Sequence, residues 1–258
     1  MAAYSPLLAL FALAPKLRVA SGRALSIYLP ARREGYDPHF YDIEFGDLVR
    51  RYKDRLAEKD RALMEHEMRR VRNLVAIVRP AGCPAFGAFA DEPRGVLELV
   101  PLKAETDERL EVGDVLVAPI LRQLEKFPPS LVVAVDKEHV MTFGAILDHL
   151  RQLDNLTGAE VDRTKAGGTS ASSNQRKADN TVRSNLAPAV EATRRAMSSG
   201  AYAQVFIAGP EEARAQFEAM LPETIRKKVA GHLSASLGAP DLKQRLREQL
   251  EAATSGAD

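Results

Sequence analysis

The 258-residue chain has one cysteine, no tryptophan and few other aromatic residues. Because Cys83 stands alone, an internal disulfide is excluded and a cysteine-based metal site is not expected. No apolar run approaches the roughly 20 residues that cross a bilayer, so we expect neither a transmembrane helix nor a membrane partner. The apolar segment 7–14 has no basic residue before it and predicts a short buried helix rather than a signal peptide. These absences favour a cytosolic protein.

Charge is balanced over the whole chain but unevenly distributed along it. The formal net charge is +1 at pH 7. Residues 50–79 and 163–195 are nevertheless basic, whereas residues 91–114 are acidic. This separation indicates a polarised surface rather than a uniformly basic nucleic-acid-binding coat, and DNA is not expected as a partner.

The length favours two domains, and the first half of the chain predicts a mixed α/β domain over residues 1–128. Strands are predicted where β-branched and aromatic residues cluster between turn residues, and helices where apolar residues recur three or four positions apart. These patterns predict strands at 24–30, 85–91 and 95–102, and helices at 44–79 and 112–129.

The second half predicts another mixed α/β domain over residues 129–238, followed by a helical tail over 239–258. It opens with three strand-like segments, and a polar loop follows at 154–174. This loop is longer than ordinary connections, so it is either functional or disordered. The remaining patterns predict a helix at 175–199 that Pro188 kinks and Gly200 caps, a strand within 201–210, helices at 210–221, 222–229 and 241–253, and a strand at 232–236.

Few residues are spaced in patterns typical of catalytic or metal sites. The five histidines, His39, His66, His139, His149 and His232, are scattered and show no metal-ligand spacing. The chain also lacks a Walker motif, a dinucleotide fingerprint and a nucleophile elbow. The segment "AGPEEARA" leads from a strand through Gly209 to a helix start, but its two glutamates disfavour an anion, so a plain turn is predicted. No metal or cofactor is therefore expected.

The polar loop contains "TKAGGTSASS", in which Gly167 and Gly168 are adjacent. Glycine tolerates positive φ and exposes its backbone, so a Gly-Gly tip can approach a ligand closely. Basic residues on both sides of the tip can pair with the phosphates of a nucleic acid. They are Arg163, Lys165, Arg176, Lys177 and Arg183. Composition alone favours a flexible linker for this segment.

The order of these elements resembles a known family. The meander, the Gly-Gly loop, the basic helix and "VFIAGPEEARAQFEAMLPETIRKKVAGHLSASLG" look like the central domain of the archaeal and eukaryotic class 1 peptide chain release factor and its relative Pelota, over about residues 130–238. The bacterial branch of this family, which includes the hibernation factor Balon, is more similar still. The first half, with "LSIYLPARREGYD" and "CPAFGAFADEPRGVLELVPL", resembles the first domain of the bacterial members. The resemblance implies a ribonuclease H-like mixed sheet flanked by helices in the second domain.

In release factors the loop tip is Gly-Gly-Gln, which enters the peptidyl-transferase centre and helps to place the attacking water. The resemblance implies that Gly167, Gly168 and Thr169 form the corresponding catalytic tip here, with Thr169 at the glutamine position. Threonine keeps a backbone N–H donor, but its side chain cannot reproduce the two-ended hydrogen bonding of a carboxamide. The substitution therefore shifts the prediction from hydrolysis to occupancy of the ribosome.

Three functions remain open from the sequence. The leading one is a cytoplasmic protein that occupies the ribosomal A site in rescue or hibernation, with rRNA and the tRNA acceptor end as partners and a translational GTPase implied by Pelota and Balon. The second is a peptidyl-tRNA hydrolase that uses Thr169 or its backbone, and the third is an RNA- or protein-binding module without a ribosomal role. Family members generally carry a third domain, and we expect residues 239–258 to be the junction to such a domain, which is either missing from a truncated chain or absent from a shortened family member.

Overall fold

A computed structural model describes residues 3–20, 22–32, 34–147, 149–161 and 171–255, without the side chains of residues 171–175, 178 and 255. The described residues divide into two compact units, with the main boundary between Phe127 and Pro128. Residues 3–5 group with the second unit, and Leu147 and His149 group with the first. Each unit contains one β-sheet with packed helices, so the predicted mixed α/β fold class is confirmed. Among the helices in these ranges, none combines the length and apolarity needed to cross a bilayer.

The first unit is built on a four-stranded antiparallel sheet with the order β3-β2-β1-β4. Its strands are β1 (Ala24–Pro30), β2 (Ala85–Asp91), β3 (Val96–Leu102) and β4 (Arg109–Gly113). Its helices are α1 (Pro6–Leu13), α2 (Pro38–Tyr52), α3 (Glu58–Val78) and α4 (Ala118–Lys126), with short 3-10 turns at Pro15–Val19, Lys53–Arg55 and Glu92–Arg94. The apolar faces of α2 and α3 pack on β1 and β2 to form the core.

The predicted helical region at 44–79 is divided into α2 and α3. The Asp37 carboxylate caps α2 by accepting a hydrogen bond from the His39 N–H at 3.0 Å. Pro38 lies in the first turn, where backbone N–H groups have no partner within the helix, so its missing N–H removes no hydrogen bond. Leu56 then adopts an extended conformation that separates the two helices. α3 ends where Arg79 takes a left-handed conformation, at the predicted end of the helical region and directly before Pro80.

The second unit is built on a mixed five-stranded sheet with the order β7-β6-β5-β8-β9. Its strands are β5 (Ser130–Val135), β6 (His139–Ile146), β7 (His149–Thr157), β8 (Gln204–Ala208) and β9 (Val229–Leu233). Its helices are α5 (Ala171–Ser198), α6 (Glu211–Met220), α7 (Glu223–Arg226) and α8 (Leu242–Ser255). β5 pairs antiparallel with β6 and parallel with β8, and β8 pairs parallel with β9.

Both faces of the second sheet are covered at its centre. Every residue of β5 is buried, and successive side chains of a strand point to opposite faces. On one face, Leu246 and the other apolar residues of α8 share a core cluster with Val132 and Phe206. The predicted tail helix is therefore packed on the second unit. α5 also contacts β5 and β6, and it continues as one helix through Pro188 to the predicted cap, where Gly200 has a φ of +74°.

Several predicted boundaries are wrong, and polar edge strands cause most of the errors. The helix predicted at 112–129 begins only at Ala118, because the segment before it forms the half-polar edge strand β4. The polar loop predicted at 154–174 is shorter, since β7 extends to Thr157 and α5 begins at Ala171. β7 is exposed along most of its length, so it lacks the apolar alternation that marks a strand. The final strand, β9, begins at Val229, about three residues before its predicted start.

Candidate functional site

The predicted site residues are divided between the described and the undescribed parts of the chain. Those of the loop lie outside the described residues: Arg163, Lys165, Gly167, Gly168 and Thr169. The other three, Arg176, Lys177 and Arg183, lie on α5 and are exposed. The two described segments that flank the loop are residues 158–161 before it and α5 after it.

α5 is amphipathic around the three predicted cations. Val182 and Leu186 are buried against the unit, at 3% and 0% exposure, while Arg183 between them points to solvent. Arg176 and Arg183 are seven positions apart, which places them on one side of the helix about 10 Å apart along its axis. This part of α5 thus has one apolar face and one basic face.

The cations near the start of α5 differ from those near its end. None of Arg176, Lys177 and Arg183 forms an ion pair with a described residue. Arg194, in contrast, is held by the Glu191 carboxylate through two hydrogen bonds of 2.8 Å. The Arg194 side chain correspondingly keeps the pKa of Glu191 below its ordinary value. In the first half of α5, these three cations are therefore not held in ion pairs with described residues, although Asp179 lies among them on the same helix.

The segment before the loop is fixed by Asn185 of α5. The Asn185 Oδ1 accepts from the Ala159 N–H at 2.8 Å, and its Nδ2 donates to the Ala159 carbonyl oxygen at 2.7 Å. The same Nδ2 donates to the carbonyl oxygen of Lys137, in the turn between β5 and β6, at 3.0 Å. One carboxamide thus joins the helix after the loop, the segment before it and a turn of the sheet.

Glu138, in the same turn, holds the segment at two further points. Its carbonyl oxygen accepts from the Gly158 N–H at 2.7 Å, and its carboxylate accepts from the Val161 N–H at 3.1 Å. The turn is itself fixed, since the Asp136 carboxylate accepts from the backbone N–H groups of Glu138 and His139 at 2.7 and 2.6 Å. We call these contacts, made by Asn185 and Glu138 to residues 158–161, the stem clamp.

Gly158 lets the stem clamp close. A Cβ atom at this position would lie 2.2 Å from the Cγ of Asn185, far inside van der Waals contact. Only glycine permits this approach of the backbone to the amide plane. Gly158, Glu138 and Asn185 are not among the site residues predicted from the sequence. The available signal was Asn185 itself, because asparagine is a poor former of helix interiors and its presence there often marks a side-chain contact.

The histidines and the Gly209 turn are the other features that the sequence offered as candidate sites. Three histidines each lie beside a separate carboxylate: His66 beside Glu92, His139 beside Asp136 and His232 beside Glu218. No group of three or more potential metal ligands occurs in the described ranges. At Gly209, whose φ is +129°, the chain passes from β8 into α6 as the predicted strand-to-helix turn.

Comparison with known proteins identifies the family. The family model described as bacterial archaeo-eukaryotic release factor family 10 matches residues 116–254, more than half of the chain. The chain belongs to this family. The predicted resemblance to the bacterial branch of the release-factor family is thereby confirmed. No curated protein sequence matches the chain.

Solved structures similar to this family 10 protein include three from archaea. The archaeal translation termination factor aRF1 is 14% identical, with 99% of this chain and 74% of that chain covered and a TM-score of 0.39. Pelota from Thermoplasma acidophilum is 14% identical, with 61% and 45% covered and a TM-score of 0.31. Pelota from Archaeoglobus fulgidus is 9% identical, with 67% and 48% covered and a TM-score of 0.31. The assignment to family 10 rests on the family model.

Proposed function

We propose that this family 10 protein is a cytoplasmic, ribosome-associated factor that occupies the A site during ribosome rescue or hibernation. In this proposal the tip formed by Gly167 and Gly168 lies near the tRNA acceptor end, beside the peptidyl-transferase centre. The observation that carries the proposal is the match of the release-factor family model across residues 116–254, which include this tip. The domain division at about residues 128 and 238 that the sequence predicted is part of the same proposal.

The electrostatics of α5 support a nucleic-acid partner. Phosphate contacts supply much of the affinity of a protein for RNA. A cation that has no acidic partner can make such a contact without first breaking an ion pair. Arg176, Lys177 and Arg183 meet this condition among the described residues. We assign them, with Arg163 and Lys165 of the loop, to binding of rRNA or the tRNA acceptor end.

Thr169 favours occupancy over hydrolysis. A release reaction needs an oriented donor that stabilises the developing oxyanion, and loss of one such donor costs on the order of a hundredfold or more in rate. The Thr169 side chain is short and β-branched, so it has neither the reach nor the two-ended hydrogen bonding of glutamine. The protein then acts by filling the site, and a translational GTPase is the class of partner that would deliver it.

Ribosome sedimentation tests the proposal. We expect the wild-type protein in the ribosomal fractions of stressed or growing cells, and the R176E/K177E variant reduced there by about tenfold or more. The control is R226E/K227E, which reverses an Arg-Lys pair at the end of α7 with the same change in net charge, although Lys227 is paired there with Glu223. Absence of the wild-type protein from ribosomes under both conditions contradicts the proposal.

Single-turnover peptide release separates occupancy from hydrolysis. Stalled ribosomes that carry labelled peptidyl-tRNA are mixed with the purified protein, and binding is measured in parallel. Occupancy predicts binding without release above background. Release that the substitution Gly168→Ala abolishes would establish the hydrolase instead.

A further inference from the structure

We infer that Asn185 is a positioning residue for the Gly-Gly loop and that, together with Glu138, it fixes the place at which the chain leaves the second sheet before residue 162. The purpose of this placement, to position the Gly-Gly tip, rests on the proposed function. It adds the residues that set the start of the loop, none of which belongs to the basic surface or to the loop tip. The stem clamp is made entirely by described residues on three elements: the β5–β6 turn, the segment 158–161 and α5.

Packing alone does not hold the segment 158–161 in place. Ala159 and Glu160 are exposed, and Gly158 has no side chain to bury. Val161, at 9% exposure, is the one residue of the four that is buried. A segment with so little buried apolar surface opens easily unless hydrogen bonds hold it. The stem clamp supplies such bonds at Gly158, Ala159 and Val161.

The chemistry of Asn185 is specific to a carboxamide. Its oxygen accepts from one backbone N–H, while its nitrogen donates to two backbone carbonyl oxygens. Aspartate would place a carboxylate oxygen against two carbonyl oxygens, and alanine would remove all three bonds. Asparagine has a lower helix propensity than alanine. The presence of an asparagine at position 185 is therefore explained by these hydrogen bonds and not by helix propensity.

The anchor for the stem clamp is a rigid one. Lys137 and Glu138 lie in the short turn between β5 and β6, two strands paired along their full length from Ser130 with Ala145 to Val135 with Val140. The turn is closed by a bond of 2.9 Å from the Asp136 N–H to the His139 carbonyl oxygen. Its position therefore follows from the sheet. Holding the stem against the turn reduces the conformational freedom that binding must remove.

Hydrogen exchange on the free protein tests the stem clamp directly. In N185A we expect the amides of Ala159 and Val161 to exchange about tenfold faster or more, because the bonds that hold the segment are removed. N180A is the matched control, since Asn180 is an exposed asparagine of the same helix, and its substitution should leave those amides unchanged. E138A should affect the Val161 amide, whereas E138Q, which keeps an acceptor oxygen, should affect it less. Unchanged exchange in a folded N185A protein overturns the inference.

Crosslinking on the ribosome tests the positioning role. A photoreactive amino acid at position 169 should give a narrow set of crosslinks in the N180A background. In the N185A background it should give fewer crosslinks, spread over more sites, although the protein still sediments with ribosomes. An identical crosslink pattern in both backgrounds overturns the positioning role. If the wild-type protein fails to sediment with ribosomes, the proposed function fails, and the exchange measurement still decides whether Asn185 holds the segment.

Discussion

The hydroxyl oxygen of Tyr202 lies 2.2 Å from the point that a Cβ atom on Gly144 would occupy. Gly144 lies in β6, opposite Leu131 of β5, and Tyr202 is 5% exposed, so its ring covers the strand where a side chain would stand. Glycine inside a strand commonly marks such a close approach. Burial of the ring raises the pKa of Tyr202. The packing of the second unit thus depends on a missing side chain in the middle of its sheet.

We expect Gly144→Ala to lower the free energy of unfolding of the second unit by about 1–3 kcal/mol. The added methyl group overlaps a buried ring, and overpacking of this kind outweighs the smaller gain from restricting the unfolded chain. Urea denaturation followed by circular dichroism measures the change. A variant as stable as the wild type would show that the ring moves aside freely.

We expect Gly46→Ala to act in the opposite direction. Gly46 lies inside α2, and nothing would lie within 4 Å of a Cβ atom there. Alanine in a helix interior is favoured over glycine by roughly 0.5–1 kcal/mol, so the substitution should stabilise the first unit by that amount. The same urea titration measures it. Destabilisation would indicate a contact of α2 that Gly46 must leave free.

The buried carboxylate of Glu67 gives a third prediction. Glu67 is fully buried in α3, where it accepts from the Glu92 N–H at 2.8 Å and from the Arg70 guanidinium. Glu67→Ala leaves the backbone donor unpaired and Arg70 without its partner, so we expect a loss of about 3 kcal/mol. Thermal denaturation of the variant and of R70A, whose guanidinium is partly exposed, measures both halves of the pair. A loss below 1 kcal/mol for Glu67→Ala would contradict this account.

Because the Tyr28 hydroxyl is buried, we expect the first unit to lose stability at alkaline pH. Its hydroxyl donates to the Leu116 carbonyl oxygen at 2.5 Å, and burial raises its pKa well above the ordinary value, against a smaller opposing effect of Arg109. The folded state therefore keeps the proton that the unfolded chain loses above about pH 10. Stability should fall as the pH rises from there, by up to about 1.4 kcal/mol per pH unit for this group.

The variant Tyr28→Phe isolates this effect. Near pH 8 it should be less stable than the wild type by about 1 kcal/mol, because one hydrogen bond is lost. Above about pH 10 the difference should shrink, because only the wild type has the ionisable phenol. Urea titrations at a series of pH values compare the two proteins. Parallel stability curves across this range would contradict the role assigned to Tyr28.

The sequence predicted those elements whose signals are local. β1 is recognised from its β-branched and aromatic residues, and Gly200 from its place after an amphipathic helix. β4 and the end of β7 were missed, because strands at a sheet edge are stabilised by pairing and need no apolar alternation. Edge strands of this kind are visible only once the neighbouring strand is known.

The candidate site likewise has a part that local sequence signals predict and a part that depends on contacts distant in the chain. The exposed cations of α5 were predictable, because helical periodicity alone separates Arg176 and Arg183 from the buried Leu186. The stem clamp was not, since Asn185 reaches Lys137 across 48 positions and Ala159 across 26. No local pattern encodes a hydrogen bond between residues so far apart in the chain. The glycine at 158 has a reason only when Asn185 is placed beside it.

Arg183 has no ion pair with a described residue, whereas Arg194 is held by Glu191, and this difference predicts how each affects the salt dependence of the proposed ribosome binding. Each phosphate contact that is lost lowers the slope of log affinity against log salt concentration by about 0.7 to 0.9. Under the proposed function, Arg183→Ala should therefore weaken binding to ribosomes and reduce this slope by nearly one. Arg194→Ala should change it much less, because Glu191 already holds that guanidinium. Binding curves at several salt concentrations provide the slopes, and equal effects of the two substitutions would show that the ion pair does not decide which arginine meets RNA.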